Sequence, residues 1–184
     1  MQLAFVTGNS GKFNEIAAVL PFVSQTDIDL DEIQSLDPQR IIEHKLLQAA
    51  QQLPGAIIVE DTSLEFTCLN GLPGTNIKWF LKCLGNDGLA ELVHHYADHS
   101  AVARCTIGLR GHGDEIKYFS GEVSGTIVAP RGALSPFGWN SIFQPDGHAK
   151  TFAEMSIKTK NAISMRGQAA RQLRDYLSDY PLSN

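Results

Sequence analysis

Apolar and polar positions follow two periods along the chain, and the points where one gives way to the other mark out the elements. Residues 2–7 are a short apolar run read as a strand, 8–11 a loop holding Gly8 and Gly11, and 12–20 a helix stopped by Pro21. A second strand is predicted over 24–30. From 38 to 53, Ile41, Ile42, Leu46, Ala49, Ala50 and Leu53 share one helical face, with Pro38 in the first turn. Ala56-Ile57-Ile58-Val59 is an unbroken apolar run that passes directly into Glu60-Asp61, the pattern of a strand covered on both faces and ending in charge. Extended chain over 64–66 leads to the turn signal Asn70-Gly71-Leu72-Pro73-Gly74, and two helices follow over 75–84 and 87–96, parted by Gly85-Asn86. Residues 101–110 and 115–119 read as a hairpin, extended by 122–128. A last helix over 161–177 takes Asn161 as its cap and buries Ile163, Gly167, Ala170, Leu173 and Leu177.

Strands and helices alternate in the first half, whereas the second half holds a meander. That combination predicts an α/β fold with a mixed sheet flanked by helices. No repeat or Pro/Gly-rich linker divides the 184 residues, so residues 1–184 are read as one domain. A net charge of −5 argues against a nucleic-acid polymer as partner, since such binders display a basic patch or stripe. No apolar run approaches the ~20 residues of a membrane span. Cys68, Cys83 and Cys105 are odd in number and lack C-x-x-C spacing, which reads as reduced thiols in a cytoplasmic protein, as does the absence of a leader pattern.

Three stretches carry candidate chemistry. Carboxylates leaving a core need hydrogen bonds, a counter-charge or a metal, and a hard cation such as Mg²⁺ takes oxygen ligands. Glu60 and Asp61 are therefore open to two readings, a metal site or a strand-end turn with solvated acids. Strand, glycine loop and helix with Lys12 are open to two readings, a phosphate cradle, because the helix start offers unpaired N–H groups and the lysine a full charge, or a glycine-rich turn that holds no ligand. It is not a Walker A loop, since Gly8 and Gly11 enclose two residues and Phe13 follows the lysine. Around the last helix start, Lys160, Ser164 and Arg166 are donors suited to anions or carbonyl oxygens. Lys45 lies off the apolar stripe of its helix. The aromatic loop at Phe137-Gly138-Trp139-Asn140 suits stacking on a nucleobase or packing in the core. His94, His95 and His99 read as polar helix-end residues rather than a zinc site, which would need a third placed ligand.

Taken together and in order, these motifs resemble the inosine triphosphate pyrophosphatase family over nearly the whole chain. They are Thr7-Gly8-Asn9-Ser10-Gly11-Lys12, Asp29-Leu30-Asp31-Glu32-Ile33-Gln34, Val59-Glu60-Asp61-Thr62, Gly71-Leu72-Pro73-Gly74, Phe137-Gly138-Trp139, and Phe152-Ala153-Glu154-Met155 through Ser164. The resemblance implies an elongated mixed sheet between two lobes, a nucleotide cleft between them and a homodimer. It implies Mg²⁺-dependent hydrolysis of deaminated purine nucleoside triphosphates to the monophosphate and pyrophosphate, which clears them from the nucleotide pool. Glu32, Glu60 and Asp61 would organise the metal, Asp61 would accept the proton, and Lys12 and Lys45 would bind the triphosphate. Thr7, Gly8, Asn9, Thr62, Phe137, Gly138, Trp139, Asn140, Lys160, Ser164, Met165 and Arg166 match positions that bind substrate.

The match breaks at the base pocket. Where the family carries Asp and His, this chain has Asn140 and Met165. Arg166 remains as a donor for a purine 6-oxygen. Hydrolytic chemistry is thus expected to be better kept than base selectivity. Two other readings stay in view, the same chemistry with a shifted base preference, as in the related Maf-like pyrophosphatases, and a nucleotide-binding protein without turnover.

Overall fold

The first apolar run forms β1 (Leu3–Val6), and the chain turns at once into α1 (Ser10–Ala17). The computed structural model describes residues 3–111, 113, 115–132 and 138–182; the expectation for Phe137 lies outside them. Helix α1 begins earlier than the predicted residue 12, because Asn9 is extended (φ −96°) and its side chain accepts from the Lys12 backbone N–H. This N-cap gives one of the helix's unpaired donors a partner. Strand β2 (Val23–Thr26) stops short of the predicted residue 30. It is an edge strand whose one neighbour among the described residues is β1, and the register Val6↔Thr26 is the last pair β1 can offer. Beyond it Ile28 and Leu30 still pack on the core, but from irregular backbone. Helix α2 (Pro38–Ala50) is capped by Asp37 and buries Ile41, Ile42, Leu46 and Ala49, as its period predicts.

Strand β3 (Ala56–Phe66) overturns the expectation of a strand ending at Glu60. It pairs in parallel with β1 only over Ala56–Ile58, but antiparallel with β5 (Ser100–Arg110) over Ile57–Phe66. The long antiparallel partner carries the strand straight through its two acids. On the other edge, β1 has ended and the two-residue β4 (Pro73–Gly74) begins to pair only at Leu64. Glu60, Asp61 and Thr62 therefore border a gap in the sheet, mid-strand.

Helix α3 (Ile77–His94) is broken at Gly85 (φ 65°), in keeping with two helices parted there. Strand β6 (Ile116–Ile127) is continuous where two pieces were predicted. Gly121, in its middle, has no room for a side chain: a Cβ there would stand 2.2 Å from the Met165 carbonyl oxygen. After β7 (Phe143–Pro145) the predicted single C-terminal helix is two, α4 (Ile157–Ile163) and α5 (Met165–Asp179). Ser164 is extended between them and its hydroxyl accepts from the Gly167 N–H, so the serine rather than Asn161 caps the long helix. Asn161 sits inside α4 and donates to the Glu15 carbonyl at 3.0 Å.

The seven strands form one mixed sheet in the order β2-β1-β3-β5-β6-β7, with β4 beside β3, so the α/β architecture read from the sequence holds. Core residues such as Phe5, Ile58, Ile107 and Leu173 fill one face, where α1, α3 and α5 lie. A smaller cluster with Ile57, Val59, Ile42 and Leu46 fills the other face under α2. The free edge of β6 upstream of its β7 pairing is covered by α5. Gln168 exchanges hydrogen bonds with the backbone N–H and C=O of Glu122 at 3.3 and 3.0 Å, and Gln172 donates to the Ser120 carbonyl at 2.7 Å.

Candidate active site

Because strand side chains alternate in direction, Glu60 and Asp61 enter different environments. Glu60 lies on the α1/α5 face and is 5% exposed. Arg166, the second residue of α5, grips it through Nε at 2.6 Å and Nη2 at 3.3 Å, and Lys12 reaches it at 2.5 Å. The Cys105 thiol donates to the same carboxylate at 3.2 Å. Burial by itself would raise the Glu60 carboxyl, but the charges of Arg166 and Lys12 outweigh it and hold the group far below the usual range. Arg166 continues to Glu15, 2.5 Å from Nη1, and to the Thr62 hydroxyl at 3.1 Å. Lys160 meets the other Glu15 oxygen at 2.6 Å. Burial pulls the Lys160 ammonium below its usual range even so.

Asp61 lies on the α2 face, 8% exposed, where Lys45 stands 3.4 Å from its Oδ1. Its Oδ2 is buried with no hydrogen-bond partner among the described residues. Burial raises the Asp61 carboxyl, and Lys45 and Lys12 only partly oppose that rise. The same lysine reaches Glu32 Oε1 at 3.0 Å, and Lys78 reaches Glu32 Oε2 at 2.5 Å. Burial would raise Glu32, but the Lys78 hydrogen bond and the Lys45 charge bring it down to about 2.

A cavity of about 440 Å³ opens at the sheet gap. Thr7, Gly8, Asn9, Lys12, Glu32, Lys45, Glu60, Thr62, Gly138, Trp139, Asn140, Met165 and Arg166 all line it, so most of the substrate positions expected from the sequence meet in one place. Three do not line it. Asp61 lies beside Lys45, Ser164 is fully buried as the α5 cap, and Lys160 is buried against Glu15. Phe137 is outside the described residues. A Cβ at Gly8 would stand 2.8 Å from Oδ1 of the exposed Asp27, a side-chain end free to turn away.

Sequence reasoning missed Lys78 and Glu15. Lys78 lines the cavity at the start of α3, where a first-turn lysine gives no sign of its partner. Glu15 is a buried acid on a short helix, and nothing in the neighbouring residues separates it from a solvated one. The His94 and His99 rings lie 4.6 Å apart, and His95 and His99 bond backbone carbonyls of their own turn.

Among the described residues no three His, Cys, Asp or Glu groups are gathered as a ready metal cluster. The donor set nevertheless suits a hard cation on one face. Asp61 offers an unpartnered buried oxygen, and Glu32 shares a lysine with it. Glu60 faces the other way and is already matched by Arg166 and Lys12.

A glycine loop and helix start at the point where a mixed sheet loses one neighbour, lined by lysines and carboxylates, define an α/β protein with a charged cleft at the sheet gap. The chain belongs to the Ham1 family, whose profile it matches over residues 3–176. It is 44% identical over 184 residues to the inosine triphosphate pyrophosphatase of Yarrowia lipolytica, covering 97% of each chain. To that of Scheffersomyces stipitis it is 42% identical over 190 residues, covering 95% of this chain and 97% of the relative. The structure of a HAM1 protein from Coxiella burnetii superposes with a TM-score of 0.84 at 26% identity, covering 97% of this chain and 99% of the other.

Proposed function

We propose that this protein hydrolyses deaminated purine nucleoside triphosphates (inosine, deoxyinosine and xanthosine triphosphate) to the monophosphate and pyrophosphate. The observation that carries the reading is the meeting of Lys12, Lys45, Lys78, Glu32 and Trp139 in one cavity, with Asp61 against Lys45. Names of relatives sharing over 40% of their residues support it.

In this reading the α1 start and Lys12, Lys45 and Lys78 bind the triphosphate oxygens, and Trp139 offers its ring to the purine. Glu32 and Asp61 would hold Mg²⁺, which supplies neutralisation of phosphate charge. Glu60 orders Lys12 and Arg166 from the opposite face. Water attacks the α-phosphorus, the bond to the bridging oxygen breaks, and pyrophosphate leaves with that oxygen. Asp61 takes the water's proton. Burial raises this carboxyl, a cation held on it would lower it again, and the same cation would make its bound water easier to deprotonate. The reading extends to a single domain with two lobes about the cleft, a homodimer and a cytoplasmic location. Among the described residues no helix is long and apolar enough to cross a membrane.

A shifted base preference is the second reading, and one observation bears on it. Arg166, expected to meet the purine 6-oxygen, directs its donors to Glu15, Glu60 and Thr62, and the neighbouring pocket wall is Met165. The test is a panel of purine triphosphates assayed for monophosphate and pyrophosphate with and without Mg²⁺. Release of orthophosphate instead, or no turnover of any member, would overturn the reading.

A further inference from the structure

The cationic groups of the cavity already hold anions. Glu32 sets one oxygen 3.0 Å from Lys45 Nζ and the other 2.5 Å from Lys78 Nζ. Two anionic oxygens on one centre, each facing a separate ammonium, is the arrangement a phosphoryl group makes with a lysine pair. Asp61 adds a further carboxylate to Lys45 at 3.4 Å, so this side of the cavity balances two lysines with two acids. A free triphosphate entering here must part the lysines from Glu32 and then sit, highly charged, beside two released carboxylates. Entering with a divalent cation, it meets a different balance. The acids pass from lysine to cation as the lysines pass from acid to phosphate, and every charge keeps a partner.

We propose that Glu32 is a specificity-determining residue that occupies the Lys45–Lys78 pair as an internal stand-in for phosphate, and so admits the cation-complexed triphosphate while rejecting the free one. The inference rests on the functional reading above and adds a coupling to it: cation and nucleotide strengthen each other's binding by the same factor. Glu32 is the group able to exchange partners. It lies in the irregular stretch between β2 and α2 with about a third of its side chain exposed, whereas Asp61 is fixed in mid-strand and buried. Glu60 is not equivalent, because Arg166 as well as Lys12 holds it.

The test is calorimetric titration of an α,β-methylene analogue of inosine triphosphate at constant ionic strength, once in EDTA and once in Mg²⁺. The proteins are the parent chain, Glu32→Gln, Glu32→Ala and Lys78→Met. The parent is expected to bind more tightly in Mg²⁺ by roughly 5- to 150-fold, the usual range of such couplings. In EDTA both Glu32 variants should bind about 10-fold more tightly than the parent, and Mg²⁺ should change their affinity little, as one charged competitor for the lysines is gone. Lys78→Met should bind more weakly in both buffers. Equal parental affinity in the two buffers overturns the inference, as does a Glu32 variant that binds no better than the parent in EDTA. A parent that binds no analogue even in Mg²⁺ overturns the functional reading itself and this inference with it.

Discussion

Glu60 and Asp61 are adjacent in the chain yet serve opposite faces of β3, the first gripped by Arg166 at 2.6 Å and the second facing Lys45 at 3.4 Å. One acid is fully matched and the other is left with an orphan oxygen. The two should therefore differ in what their removal does.

Asp61→Asn is expected to keep the fold and nucleotide binding while lowering kcat about 10²- to 10⁴-fold, the usual cost of losing a positioned proton acceptor. It should also melt at a higher temperature than the parent at neutral pH. Raised by burial from its ordinary 3.8, the carboxyl gives the folded state an advantage below that pH which is lost as pH rises through the folded value. The amide never takes on that charge. Thermal melts of parent and variant check the second half; near-parental kcat would remove Asp61 from the role of base.

Glu60→Gln is expected to act on stability first. It removes the buried carboxylate shared by Arg166 and the partly exposed Lys12, and since Arg166 keeps Glu15 the cost should fall at or below the about 3–5 kcal/mol of a fully broken buried pair. Urea unfolding midpoints measure it, and a loss below about 1 kcal/mol, the range of an exposed pair, would contradict the assignment.

Acid should unfold the protein through the same groups. Glu60 and Glu32 are depressed from 4.5, so the stability they give is complete above that pH and is lost as pH falls, toward about 2 for Glu32 and lower for Glu60. Glu60→Gln should flatten the fall in unfolding free energy below pH 4.5. An unchanged slope would mean that other carboxylates carry it.

Asn140→Asp combined with Met165→His is expected to raise the ratio of kcat/KM for inosine over adenosine triphosphate and to leave the Mg²⁺ dependence unaltered. Both residues line the cavity and are buried, so in the proposed reading a changed polar group there is shielded from solvent and faces the base. Each neutral hydrogen bond regained corresponds to about 2- to 10-fold. The two positions line one cavity, so both single variants belong in the comparison. A parent that already discriminates by more than about 10³-fold would show that other residues compensate for the two departures.

What could be read in the sequence was local. Periodicity placed α2, turn signals parted the two halves of α3, and the family resemblance assigned Thr7, Lys12, Glu32, Lys45, Glu60 and Trp139 to one cleft, all of which line the cavity. The errors have physical causes of longer range. β3 runs past its acids because β5 pairs with it, and β2 stops because β1 does, neither of which is written in the strand concerned. Strand alternation alone separates Glu60 from Asp61, but two adjacent acids in a motif invite reading as one unit. Glu15 matters only through Lys160 and Arg166, about 150 positions away. Ser164 divides a helix whose apolar stripe looks continuous, since a capping hydroxyl within such a stripe leaves the period intact.

The glutamines of α5 carry one more consequence. A free strand edge is a template on which a second chain can add a strand and from which fibrous assembly can grow. Gln168 and Gln172 occupy the backbone groups of Glu122 and Ser120 that such a strand would need. The side chains of one helix thus act as a blunt selvedge on this border of the sheet, guarding the protein against templated aggregation at high concentration.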